Sequence, residues 1–258
     1  MFDQLPKRRS ERRVIVVVDE QRLNSLRDDA SSNELLGSRY IALLSEHADL
    51  SNADEITKSL ERKRLLVAGT MLVASPYHDG DYAPIDHAYQ TFGHEKWSAI
   101  STLCGLLGAR RLTVKVVEDS ITNTRIEVNA DGGKGPVKVE GKVKSSHLNE
   151  FAGYLDWHEE FEGGEIDLEG ARKQLQECGL EAEPFVKSLV DARSHPGNLL
   201  LLRRVTVDLS RESERVIDAA MSVKIPTMFG VEGALKRARD SKAHYRVEFE
   251  VDFRAVAT

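Results

Sequence analysis

The stretch from Tyr77 to His87, Tyr-His-Asp-Gly-Asp-Tyr-Ala-Pro-Ile-Asp-His, gathers side chains able to hold a metal ion. With His94 it places three histidines and three aspartates within seventeen residues. Imidazole and carboxylate together suit Zn²⁺ or Mn²⁺, and either ion can activate water for hydrolysis. On that reading His78, Asp79, Asp81 and His87 are the ligands of a metal-dependent hydrolase. The spacing is not His-Glu-x-x-His, and His87 and His94 stand two turns apart on any one helix. Asp, Gly and Pro are also the residues that turns prefer, so a turn between two helices explains the same composition without a ligand.

Other chemistry is harder to build from these residues. The segment Asp131 to Pro136, Asp-Gly-Gly-Lys-Gly-Pro, has the glycines of a phosphate loop. A phosphate loop needs Gly-Lys-Ser/Thr opening a helix, whereas alternating valines flank this segment, as they would a hairpin turn. There is no Gly-x-Ser-x-Gly elbow. Cys104 falls on the apolar side of a helical pattern and Cys178 precedes Gly179 at a helix end, so both read as buried thiols. Two cysteines make neither a disulfide framework nor a cysteine zinc site.

Charge is segregated along the chain. Lys7, Arg8, Arg9, Arg12 and Arg13 form a basic arm over residues 1–13, read as mobile. Between Asp156 and Glu169 there are seven acids and no Lys or Arg, with Glu159, Glu160, Glu162 and Glu165 at the centre. A charge run is ordinarily a solvated face. The functional alternative is docking: Arg8, Arg9, Arg12 and Arg13 on one side, and Glu159, Glu160, Glu162 and Glu165 on the other, meeting a protein partner or a second copy. The arm, with Lys236-Arg-Ala-Arg239, also suits nucleic acid or anionic lipid, although no aromatic stacking set accompanies it.

The elements that must carry these residues follow from hydrophobic period. Tyr245, Val247, Phe249, Val251 and Phe253 alternate with charged residues, which is a strand with one buried face. Residues 14–18 form a short strand that is apolar on both faces. From 19 to 108 the pattern reads as helical, with a capping box at Asn52 to Glu55 and one helix from Ile56 to Ala74. A further helix runs from Glu95 to Leu107 and stops at Gly108. Beyond 110, alternation at Leu112, Val114 and Val116, at Ile126 and Val128, and at Val137 and Val139 predicts strands and a hairpin. Helices are expected over 167–177, 184–193, 212–223 and 231–241, and a strand over 199–209. The fold class expected is α+β: a mainly helical part over 14–109, then a mostly antiparallel sheet with inserted helices over 110–258.

A net charge of −6 argues against a general nucleic-acid binder. The longest apolar-rich window, 65–75, is too short to span a bilayer. A basic N-terminus running directly into a strand carries no secretory signal, and the expectation is a cytoplasmic protein. The leading functional expectation is a non-catalytic interaction or assembly protein, the kind of chain that serves as accessory or effector subunit in a bacterial stress or defence system. The metal-dependent hydrolase and the anionic-surface binder are the alternatives.

Overall fold

The computed structural model describes residues 5, 7–8, 12–22, 40–51, 53–127, 138–140, 146–155, 158–195, 200–223, 225 and 229–254. Its first elements are β1 (Val14–Val18), β2 (Ile41–Ser45), α1 (Glu55–Arg62), β3 (Met71–Ala74), β4 (Tyr82–Pro84) and α2 (Ala88–Leu106). Then come β5 (Arg111–Asp119), β6 (Thr124–Glu127), β7 (Lys138–Glu140), α3 (Ser146–Tyr154), β8 (His158–Glu160) and α4 (Leu168–Glu177). A 3₁₀ turn (Leu180–Ala182) leads to α5 (Pro184–Ser194), β9 (Leu202–Asp208), α6 (Arg211–Met221), α7 (Glu232–Asp240) and β10 (Tyr245–Asp252). The class is α+β. Among the described residues no helix is long and apolar enough to cross a membrane.

Two compact units emerge, each built from two separate segments: Met1–Tyr89 with Glu212–Lys242, and Gln90–Arg211 with Ala243–Thr258. The change of pattern at 109/110 falls between α2 and β5, inside the second unit.

The first unit holds a sheet in the order β2-β1-β3-β4. β1 runs parallel to β2 and antiparallel to β3, and β3 runs antiparallel to β4. All five β1 residues are buried, as a parallel strand covered on both faces requires. This corrects the expected helical N-terminal part: the chain opens with strands. The helix expected from Ile56 to Ala74 ends at Arg62, Arg64 turns out at φ +56°, and Met71–Ala74 is a fully buried strand. A short apolar run has no periodicity that separates strand from buried helix. The cap of α1 is Asp54, whose carboxylate accepts from the Thr57 amide at 2.9 Å; Asn52 lies outside the described residues. The later segment is tied in by polar contacts. Tyr77 donates to Glu212 at 3.2 Å, and the Arg237 guanidinium reaches Asp86 at 2.7 Å.

The second unit holds a larger antiparallel sheet in the order β7-β6-β5-β10-β9, with β8 also on β5. β10 is as its alternation predicts: Tyr245, Val247, Phe249 and Val251 are buried and the charged residues between them are not. Ile126 pairs with Val139, so the predicted hairpin strands meet; Asp131 to Pro136 lie outside the described residues. The register of β5 on β10 slips between Glu248 and Phe249, which pair with Val116 and Val114. Lys115 is the extra residue of a bulge. The bulge reverses the alternation, so Val117 is buried where the sequence pattern points to Val116. Gly108 ends α2 at φ +77°, the conformation its position demands.

Candidate functional site

The site is built on α2. Ile100, Leu103, Cys104 and Leu107 are buried on its apolar side. Trp97 meets Phe249 edge-on at 5.2 Å, which fastens the helix to β10, an interior strand of the sheet. His94, Trp97, Ser98, Ser101 and Thr102 recur at helical spacing and share a neighbouring face. With Tyr154 of α3 and Glu159 of β8 they line a cleft of about 600 Å³.

Each wall has a local cause. Gly93 lets α3 approach, because a side chain there would meet Phe151 Cε2 at 2.9 Å. Phe151 stacks on Tyr245 at 4.0 Å and on His94 at 4.5 Å, and Tyr154 closes edge-on over His94 at 5.3 Å. The aromatic column fixes the imidazole. Glu159 stands opposite Leu112 in the β5–β8 pair, so its side chain leaves the sheet on the helix-covered face. There the Ser101 hydroxyl donates to its carboxylate.

Burial pushes the His94 imidazole down to about 4, with Glu150 opposing weakly, so the ring is neutral at neutral pH. Among the described residues its buried Nε2 has no hydrogen-bond partner, nor has Nε1 of the 5 % exposed Trp97. Orphaned buried polar atoms are uncommon in folded proteins. Among the described residues the lining includes one carboxylate and no lysine or arginine.

The arrangement can hold a ligand group, and Ser101 and His94 are not placed as a nucleophile–base pair. Ser101 lies seven residues beyond His94, about 10 Å along the helix, too far for a nucleophile–base hydrogen bond. The Cys104 thiol is fully buried and pushed up to about 12 by burial, with Glu159 adding to the rise. Burial also raises Cys178, which accepts from Gln174 at 3.3 Å. Neither sulfur is the thiolate that reactivity requires.

Beneath the cleft the same helix buries a charge. The Lys96 side chain has no solvent exposure, and its ammonium donates to Glu183 and, at 2.7 Å, to the Asp208 carbonyl. The Asp208 carboxylate meets His244 Nε2 at 2.8 Å and accepts from the amides of Ser210 and Arg211. These contacts bind α2, α5, β9 and β10 into one frame.

The residues singled out by sequence separate as follows. His78, Asp79 and Asp81 occupy the β3–β4 connection and His87 the turn after β4; Asp81 is engaged by Lys63 at 2.7 Å. Among the described residues no group of three or more His, Cys, Asp or Glu side chains is arranged to hold a metal ion. Of the acidic run, Glu159 enters the cleft, Glu160 turns the other way to Arg111 at 3.3 Å, and Glu162 and Glu165 are exposed. Of the basic arm, Arg8 and Arg13 are exposed and Arg9 lies outside the described residues. The arm is tied down at two points: Leu5 is buried, and the Arg12 carbonyl accepts from Tyr82 at 2.9 Å. Sequence reasoning placed Trp97 only on the apolar face of its helix and passed over Ser101 and Tyr154. Their signal was a set of polar and aromatic residues at 94, 97, 98, 101 and 102 along the helix. No protein-family model, curated protein or solved structure matches the chain.

Proposed function

We propose that the chain is a non-catalytic interaction protein that takes a basic segment of a protein partner on the acidic, aromatic-rimmed face around the α2 cleft. The observation that carries this reading is the Glu159 carboxylate, held by Ser101, in a cleft whose described lining has no lysine or arginine, with Tyr154 68 % exposed at its rim. Tyr and Trp are enriched where proteins meet, because they bring large rigid area and one polar atom. A lysine or arginine entering beside Tyr154 gains ring-face attraction and a carboxylate at the bottom. Exposed Glu162 and Glu165 extend the same sign of charge along the chain. Such charge raises association rate and orientation more than affinity.

The test titrates a synthetic peptide of residues 7–13, Lys-Arg-Arg-Ser-Glu-Arg-Arg, into the full chain by calorimetry. The expected result is saturable binding that weakens as salt rises, and weakens at least about fivefold in Glu159→Gln. Equal binding by Glu159→Gln and wild type overturns the proposal. Light scattering separates the partners. Salt-sensitive oligomers that vanish when Arg8, Arg9, Arg12 and Arg13 become Ser identify a second copy, and a monomer at every salt concentration leaves a heterologous partner.

A further inference from the structure

A second concavity lies wholly within the first unit and has a different chemistry. It encloses about 800 Å³ between the end of β3, the start of β1 and one side of α6. Val216, Ala219 and Ala220 give it an apolar wall at helical spacing. Arg13 and Arg215 stand in its lining, and both are exposed. Arg13 is steadied over the Tyr40 ring, 5.5 Å from its centroid. Among the described residues neither guanidinium has a carboxylate partner.

We propose that this groove binds a free single-chain amphiphilic anion, an aliphatic carboxylate of medium length. The volume lies within the range of small-molecule sites. The small side chains of α6 leave room for an alkyl tail, and each methylene taken from water favours binding. Two guanidiniums without carboxylates match a carboxylate head, which either can hold through two parallel hydrogen bonds. A neutral head would leave both charges without a partner. A quaternary ammonium head would be repelled.

The experiment is calorimetry on the full chain with decanoate below its micelle concentration, beside decanol and decyltrimethylammonium. Decanoate should bind one site, with decanol at least tenfold weaker and the cation not binding. Arg215→Gln should weaken decanoate roughly five- to tenfold, and Arg215→Lys should recover only part of that loss, since an ammonium keeps the charge without the bidentate fork. Ala219 is exposed, so Ala219→Trp fills the groove from outside and should abolish binding with an unchanged melting temperature. Equal binding of decanol and decanoate overturns the proposal, as does full affinity in Arg215→Gln or Ala219→Trp. Adsorption to phosphatidylglycerol vesicles without binding of free decanoate also overturns it, in favour of a membrane surface. Glu159→Gln should leave decanoate affinity untouched, which keeps this result separate from that of the α2 cleft.

Discussion

Lys96→Met retains an unbranched side chain of similar length and removes only the ammonium. In the wild type that ammonium has no solvent exposure and satisfies Glu183, itself only 7 % exposed, and the Asp208 carbonyl. The substitution strands a buried carboxylate, and breaking such a pair costs about 3–5 kcal/mol. The carbonyl adds to that by about 1 kcal/mol or more if left unmet, although neighbouring losses overlap. About 4 kcal/mol is therefore expected, a large part of the ~5–15 kcal/mol that holds a domain folded. Removing both charges is a different matter. In Lys96→Met/Glu183→Leu no ion remains to be desolvated, and the double variant should return to within about 2 kcal/mol of wild type. Urea denaturation followed by circular dichroism and by tryptophan fluorescence supplies the four corners of the cycle. The reasoning fails if Lys96→Met lies within about 1 kcal/mol of wild type, or if the double variant is no better than the worse single one.

The neutral His94 ring gives a pH signature. Its folded-state pKa of about 4 lies below the ordinary 6.5, so the unfolded chain takes up the proton first as pH falls. The stabilisation is complete above pH 6.5 and is lost on the way down to 4. The whole displacement is worth about 3 kcal/mol, reduced to roughly 1–2 by partial contact of the ring with solvent. His94→Gln should flatten the fall in melting temperature between pH 7 and 5, and an unchanged slope would count against the assignment. Phe249→Ala opens the centre of the second unit beneath Trp97 and Phe185, and its urea midpoint should report a loss of about 3–5 kcal/mol. Gly108→Ala forces φ +77° on a residue with a Cβ, and that carbon would meet the Gly164 carbonyl at 2.9 Å. Its melting temperature should show a loss of at least about 1 kcal/mol.

What the sequence made legible is what local period encodes. β10 alternates without interruption over its length, so its buried face could be read directly. α2 could be read from Glu95 onward, because its buried face is broad there and Gly108 marks its end, but its first seven residues, Ala88 to His94, were not read as helix. β5 could be read only as far as Lys115, since a bulge is set by the partner strand and has no local signature. β3 was absorbed into a helix because four consecutive buried apolar residues fit either period. The metal reading rested on ligand types clustered along the chain. The cleft, by contrast, joins α2 to Tyr154 and Glu159, brought together by strand pairing and by Gly93. No spacing rule reaches that far. The signal was in the charge run: Glu159 and Glu160 are neighbours in an acidic stretch, and the pleat sends them to opposite faces.

The interior position of β10, paired on both sides, has a consequence for how the molecule comes into being. β5 and β9 flank it on either side, yet both leave the ribosome first. Until Tyr245–Asp252 is made, each presents an unpaired edge, the template on which other chains add strands. The first unit waits as well. Roughly 120 residues separate its two segments, on the order of 6–24 s of synthesis at ordinary rates. A nascent chain halted anywhere before Tyr245 therefore lacks its keystone strand. Truncation or slow translation late in the message should show up as aggregation more than as a smaller folded fragment.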